Sequence, residues 1–184
     1  AVLTLPFFLV AHAASLIFDL EPDGFGPLYF KMTNITAAFY LSLGLLYLFG
    51  FLKKYFSKST AFLTTFMVVA GTNLFYYSIS DTFMSHTYSF ALISMFLFYL
   101  KRFIDNESKA TKYWIIISIL LALITLIRIP NIIIILFIPF LDIHRFSDLK
   151  RRLSRIFQIK YILISLFSFF LIFLPQMLYW KFIS

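Results

Sequence analysis

The chain alternates long apolar runs with short polar connectors. Charge-free stretches occupy 1–18, 32–52, 59–80, 82–100, 113–127, 129–141 and 161–180. Crossing a hydrocarbon core of about 30 Å takes about 20 helical residues. The second, third, fourth and last stretches meet that length, and the first reads as truncated. Lipid offers the backbone no hydrogen-bond partners, and these runs lack the alternating polarity of a membrane barrel. The pattern therefore predicts an all-α, polytopic transmembrane helical bundle of about seven membrane segments, one region spanning 1–184.

The stretch 113–141 is read as a hairpin rather than one long helix. Pro130 removes a donor and disfavours a helical Ile129, so a break belongs at Arg128-Ile129-Pro130-Asn131. The two arms, 113–127 and 129–141, would be about 22 and 17 Å long, leaving the tip below the outer surface. The block 142–160 reads as a cytoplasmic interfacial helix. Ile143, Phe146, Leu149, Leu153, Ile156 and Phe157 recur at helical spacing, with Lys150, Arg151, Arg152 and Arg155 opposite and Ser147 as the expected N-cap. Such a helix suits anionic headgroups, although a plain basic connector would fix topology equally well.

Composition agrees with the pattern. The 184 residues are 61% hydrophobic and 13% charged, with a mean hydropathy of +0.91. A soluble domain is nearer 45–50% apolar and about 25% charged, so soluble and disordered classes are excluded. The absence of cysteine excludes a disulfide scaffold.

The net charge of +8 is a topology signal. If each run crosses once, 13 basic and 4 acidic residues fall on one side, a face of +9. The other side holds Lys31, Arg128 and Lys181 with Asp19, Glu21, Asp23 and Asp81, a face of −1. The positive-inside rule makes the +9 face cytoplasmic, and nucleic acid drops out as a partner. The expected location is the bacterial inner (cytoplasmic) membrane, with the lipid bilayer as the first partner. The chain opens at Ala1 within an apolar run, without Met or a basic leader, and stops directly past another apolar run. It is read as a piece of a longer protein, and that opening run is not a signal peptide.

No cysteine metal site, phosphate-cradling glycine loop, GxSxG or HExxH occurs, and no metal ligands are assigned. The unusual polar residues gather at the outer ends of the helices. Arg128 carries the sharpest signal, because a cation at depth costs roughly 2.5 kcal/mol or more unless paired or hydrated. Beside a helix break it is placed to grip a phosphate through two parallel hydrogen bonds, or else to snorkel or pair with Asp81. Asn131 shares that tip. Asp81 would cap a helix starting near Thr82, or line a cavity with His86, whose imidazole suits a proton or a metal. His12 reads as an interior, hydrogen-bonded histidine or a site residue. Asp19, Glu21 and Asp23 suit a divalent metal ion, the one cofactor considered, while the Pro22-Asp23-Gly24 turn signature accounts for Asp23 without one. Tyr179 and Trp180 read as an outer interface anchor.

Several segments together resemble the bacterial polytopic glycosyltransferases of the GT-C superfamily, especially dolichyl-mannosyltransferase-like membrane proteins of Bacteroidetes type. They are Leu5-Pro6-Phe7-Phe8-Leu9-Val10-Ala11-His12 and Pro22-Asp23-Gly24-Phe25-Gly26-Pro27-Leu28-Tyr29. Gly71-Thr72-Asn73-Leu74-Phe75-Tyr76-Tyr77 runs on to Asp81 and Met84-Ser85-His86. Leu126-Ile127-Arg128-Ile129-Pro130-Asn131 and Phe173-Leu174-Pro175-Gln176-Met177-Leu178-Tyr179-Trp180-Lys181 complete the set. The resemblance implies transfer of a sugar from a polyprenyl-phosphate-linked donor to an acceptor on the extracytoplasmic face, with a carboxylate as general base and inversion at the anomeric carbon. The principal base of such families lies in the first outer loop, which here would precede Ala1. By the same resemblance Asp81 stands at a second acidic motif, and Arg128 at a basic-proline step near the carrier phosphate. Ile129 intervenes where many relatives have Arg-Pro directly. The expected substrate-binding residues are thus Asp81, His86, Arg128 and Asn131. The alternative is a non-catalytic lipid or glycan flippase or transporter, which a broken hairpin also suits. Only one break is evident in the pattern, and that favours the enzyme.

Overall fold

A computed structural model describes residues 2–183. Helix accounts for 81%, and no strand forms among the described residues. The helices are α1 (Leu5–Ile17), α2 (Pro27–Leu52), α3 (Lys58–Ala70), α4 (Leu74–Ile79), α5 (His86–Asp105), α6 (Ala110–Ile127), α7 (Phe137–Phe140), α8 (Phe146–Ile156) and α9 (Ile159–Ile183). Two 3₁₀ segments, Glu107–Lys109 and Ile129–Leu136, precede α6 and α7. Among the described residues four helical stretches are long and apolar enough to cross a membrane: α2, α5, α6 with its leading 3₁₀ turn, and α9. Exposed side chains such as Leu46, Leu163 and Phe170 face outward along them, as lipid-facing residues do.

The ends of the helices follow local chemistry. Pro6 and Pro27 sit in first turns, where a missing N–H costs nothing. The Ser57 hydroxyl accepts the Thr60 N–H and caps α3. At the end of α1, Asp19 takes a left-handed φ of 54° and the Leu20 N–H donates to the Ser15 carbonyl, a Schellman stop.

Three expectations need correction. The run 59–80 is not one helix: it breaks at Gly71-Thr72-Asn73, where the Thr72 hydroxyl donates to the Val68 carbonyl and accepts the Leu74 N–H. The helix after Asp81 begins at His86, not near Thr82, so Asp81 is no N-cap. Residues 80–85 instead form a turn, its Met84 N–H bonded to the Asp81 carbonyl. Lastly, α8 starts at Phe146 rather than after Ser147, and the Asp148 carboxylate accepts the Arg145 N–H.

The chain divides into two compact units, 1–91 and 92–184. In the first, α1 and α2 are antiparallel: the Tyr40 hydroxyl donates to the Leu3 carbonyl, Phe7 meets Phe39, and His12 meets Tyr29. The start of α5 runs parallel to α2, with Tyr40 against Tyr88 and Gly44 against Phe90 and Ala91. Small buried residues (Ala11, Ser15, Thr36, Ala37, Ala61) let these backbones approach, as bilayer helices do when packing rather than hydrophobicity drives association.

In the second unit α6 and α9 are parallel. The Trp114 indole N–H donates to the Tyr161 carbonyl (3.0 Å) and the Ser165 hydroxyl (3.2 Å), and Ser118 meets Ser165 at 3.1 Å. Two consecutive parallel helices require the chain between them to return. The 3₁₀ segment does so, packing back along α6 beyond Arg128. Its steeper rise of about 2 Å per residue carries segment and α7 together over roughly 22 Å, more than α-helical geometry alone would give. At the end of the unit where α6 begins, Lys101 pairs with Asp105 (2.7 Å) and Asp142 (2.8 Å). There the Arg155 guanidinium lies 4.2 Å from the Phe103 ring centroid and reaches Glu107 at 3.9 Å. Arg152 donates to the Leu141 and Ile138 carbonyls, and burial pulls its guanidinium below its ordinary value. Two of the four cations expected on the outward face of α8 thus turn inward, leaving Lys150 and Arg151 exposed.

Candidate functional site

In the first unit the polar residues collect around the loop 18–26 and the turn 80–85. Asp23 Oδ1 accepts the N–H groups of Phe25 (2.8 Å) and Gly26 (2.9 Å). Those two donors hold the carboxyl below the ordinary aspartate value. Asp19 serves the helix stop through its backbone and Asp23 serves the turn through its carboxylate; all three loop acids are exposed, and Glu21 lines, with Lys31, a cavity of about 410 Å³. His12 Nδ1 lies 2.8 Å from the Tyr29 hydroxyl, a satisfied, half-buried pair.

Below the loop, α2 fronts a cavity of about 320 Å³. Its lining includes Phe8, Tyr29, Phe30, Thr33, Thr36 and Tyr88. The threonine hydroxyls donate back to the Tyr29 and Met32 carbonyls, so the lone pairs of their oxygens are what they offer a ligand. Phe83 packs edge-on to Phe30 and closes one wall.

Asp81 and His86 bracket the turn. Asp81 is half-buried, its N–H donating to the Tyr76 carbonyl at 3.3 Å, and its carboxylate makes no hydrogen bond or ion pair among the described residues of its unit. His86 stacks on Tyr77 with centroids 4.3 Å apart. Thr82 anchors the turn between them: its hydroxyl donates to Asn34 Oδ1 (2.8 Å) and its carbonyl accepts the Tyr88 hydroxyl (3.0 Å). Asn34, Tyr29 and Tyr88 were not singled out from the sequence. A lone Asn within the apolar run 32–52 was the signal that marks this one, since an amide at that depth needs a partner.

In the second unit Arg128 ends α6 in an extended conformation (φ −148°, ψ 113°), and its carbonyl accepts the Asn131 N–H at 2.9 Å. Arg128 is exposed, with no ion pair among the described residues of its unit, and half-buried Asn131 stands one turn on. The break thus bonds Arg128 to Asn131 through the backbone, whereas Asp81 and His86 stand at the two ends of the turn, the first bonded to Tyr76 and Met84 and the second stacked on Tyr77. Residues before Ala1, where the principal base is expected, lie outside the described residues. Among the described residues no group of three or more His, Cys, Asp or Glu side chains is gathered to hold a metal. No protein-family model, curated protein or solved structure matches the chain.

Proposed function

We propose that the chain is the membrane-embedded helical part of a glycosyltransferase in the bacterial cytoplasmic membrane, with about seven membrane segments counting the short apolar ones. It takes a sugar from a polyprenyl-phosphate-linked donor on the extracytoplasmic face. One observation carries the reading: an exposed arginine, without an ion pair among the described residues of its unit, at the point where α6 gives way to a 3₁₀ segment. As the acceptor hydroxyl attacks the anomeric carbon, the carbon–oxygen bond to the carrier phosphate breaks and charge grows on the departing oxygen. A guanidinium gripping that phosphate stabilises the charge as it forms. The hydroxyl proton passes to a carboxylate, which the family resemblance puts before Ala1. Asp81 and His86 then act as substrate-orienting groups beside the hydroxyl- and aromatic-lined cavity, and Asn131 supports the phosphate site.

Arg128→Ala in the full-length enzyme is expected to abolish transfer from lipid-linked donor while membrane insertion stays normal. Arg128→Lys keeps the charge but loses the fork, and restores activity only in part. Unchanged turnover in the alanine variant overturns the assignment.

A second reading has an observation of its own. The break at Gly71-Thr72-Asn73 gives each unit one interrupted apolar segment, which removes the contrast with transporters that the single hairpin suggested. In proteoliposomes a flippase would move labelled lipid-linked sugar between leaflets without forming product. A transferase would form product and leave the leaflets unmixed.

A further inference from the structure

Between α2 and α3 the first unit carries an apolar groove of about 560 Å³. Ser42, Leu46 and Phe49 form one wall, and Phe62, Phe66 and Val69 the other. These residues recur at three- and four-residue spacing, so each trio is a single stripe on its helix. Continued by one turn, the stripes reach Lys53 at the end of α2 and Lys58 at the start of α3. The Lys53 ammonium lies 5.4 Å from the Phe49 ring centroid, so the cation adjoins the last wall residue. Both lysines are exposed, and neither has a carboxylate within ion-pair distance among the described residues. No acidic residue occurs anywhere between Asp23 and Asp81.

An apolar groove in a bilayer gains little hydrophobic free energy by being filled, because lipid tails are as apolar as its walls. What selects an occupant here is the pair of ammonium groups at one end. A second protein helix would fill the apolar part but would match the lysines only with a carboxylate placed at that one depth. An anionic phospholipid supplies both parts. We propose that this groove binds one, with an acyl chain between α2 and α3 and the headgroup phosphate on Lys53 and Lys58. The site is independent of Asp81 and Arg128, so it stands or falls apart from the glycosyltransferase reading.

The test uses the purified full chain in detergent at low salt, exposed to phosphatidylglycerol or phosphatidylcholine of identical acyl chains, with bound lipid counted by native mass spectrometry. Wild type is expected to retain phosphatidylglycerol on the order of tenfold more tightly, since each lysine near an anionic headgroup contributes and salt weakens both. Lys53→Gln with Lys58→Gln brings the two lipids to parity, and Leu46→Trp, which fills the groove, lowers phosphatidylglycerol retention with the lysines untouched. Equal retention of both lipids by wild type overturns the proposal, as does an undiminished preference in the double glutamine variant. A dimer that retains no phosphatidylglycerol and dissociates on Leu46→Trp would assign the groove to a second copy and overturn it too.

Discussion

At Gly44 two backbones of the first unit come close together. A Cβ built there would stand 2.7–2.8 Å from the Phe90 ring and 2.9 Å from the Ala91 Cα. The ring could rotate, but the Cα belongs to α5 and moves only with the helix. Gly44→Ala is therefore expected to destabilise the unit by about 1–3 kcal/mol, as overpacking does in close-packed interiors. Gly26→Ala is the control, because its Cβ would meet only Asp23 Oδ1 at an ordinary 3.6 Å. Thermal unfolding in detergent should show a lower Tm for the first and little change for the second. The turn role of Asp23 was legible in Pro22-Asp23-Gly24, whereas neither Gly44 nor the helix stop at Asp19 stood out in the sequence. Three acids within five residues allow both a cation site and a turn, and the structure shows Asp23 accepting two turn N–H groups while Asp19 takes a left-handed φ. Acids in loops serve helix stops and turns as readily as metals, and residue type alone does not separate these uses.

Between elements, the parallel pairing of α6 with α9 turns on Trp114. Its indole N–H faces both the Tyr161 carbonyl and the Ser165 hydroxyl, amid the rings of Phe103 and Tyr161. Trp114→Phe keeps an aromatic there and removes the donor, at an expected cost of about 1–2 kcal/mol. Adding Ser118→Ala should cost less than the sum of the single changes, since Ser165 joins both residues in one network. Stepwise unfolding in denaturing detergent reads both. The hairpin was legible because Pro130 enforces it chemically. The break in 59–80 was not, although Gly-Thr-Asn is a loop signature. Twenty-two uncharged residues look like one span, and only the Thr72 back-bond to Val68 and its acceptance of the Leu74 N–H end the helix there. Where a hydroxyl can either stay in the helical ladder or cap the next turn, spacing does not choose between them.

For the whole molecule, the distribution of charge predicts which way the chain threads the membrane, and the 142–160 block is its critical test. Were 113–141 to cross once, that block would face outward against the positive-inside rule. The parallel register of α6 and α9, and the contacts of Lys101 with Asp142 and of Arg155 with Glu107, hold the block at the end of its unit where α6 begins. The chain has no cysteine, so single cysteines report sidedness without background. Phe25→Cys in the outer loop, Ser57→Cys in the lysine connector and Ser147→Cys on α8 form the set. An impermeant maleimide added to intact spheroplasts is expected to label the first alone, and all three after permeabilisation. Ser147 decides the hairpin, because a single crossing would expose it outside with Phe25. Ser57 decides the orientation, because its labelling from outside would invert the +9 and −1 faces and place Arg128 and Asp81 in the cytoplasm. In that geometry a carrier phosphate presented at the extracytoplasmic surface would meet neither residue, so the labelling pattern also bears on whether the Arg128 site can meet its donor.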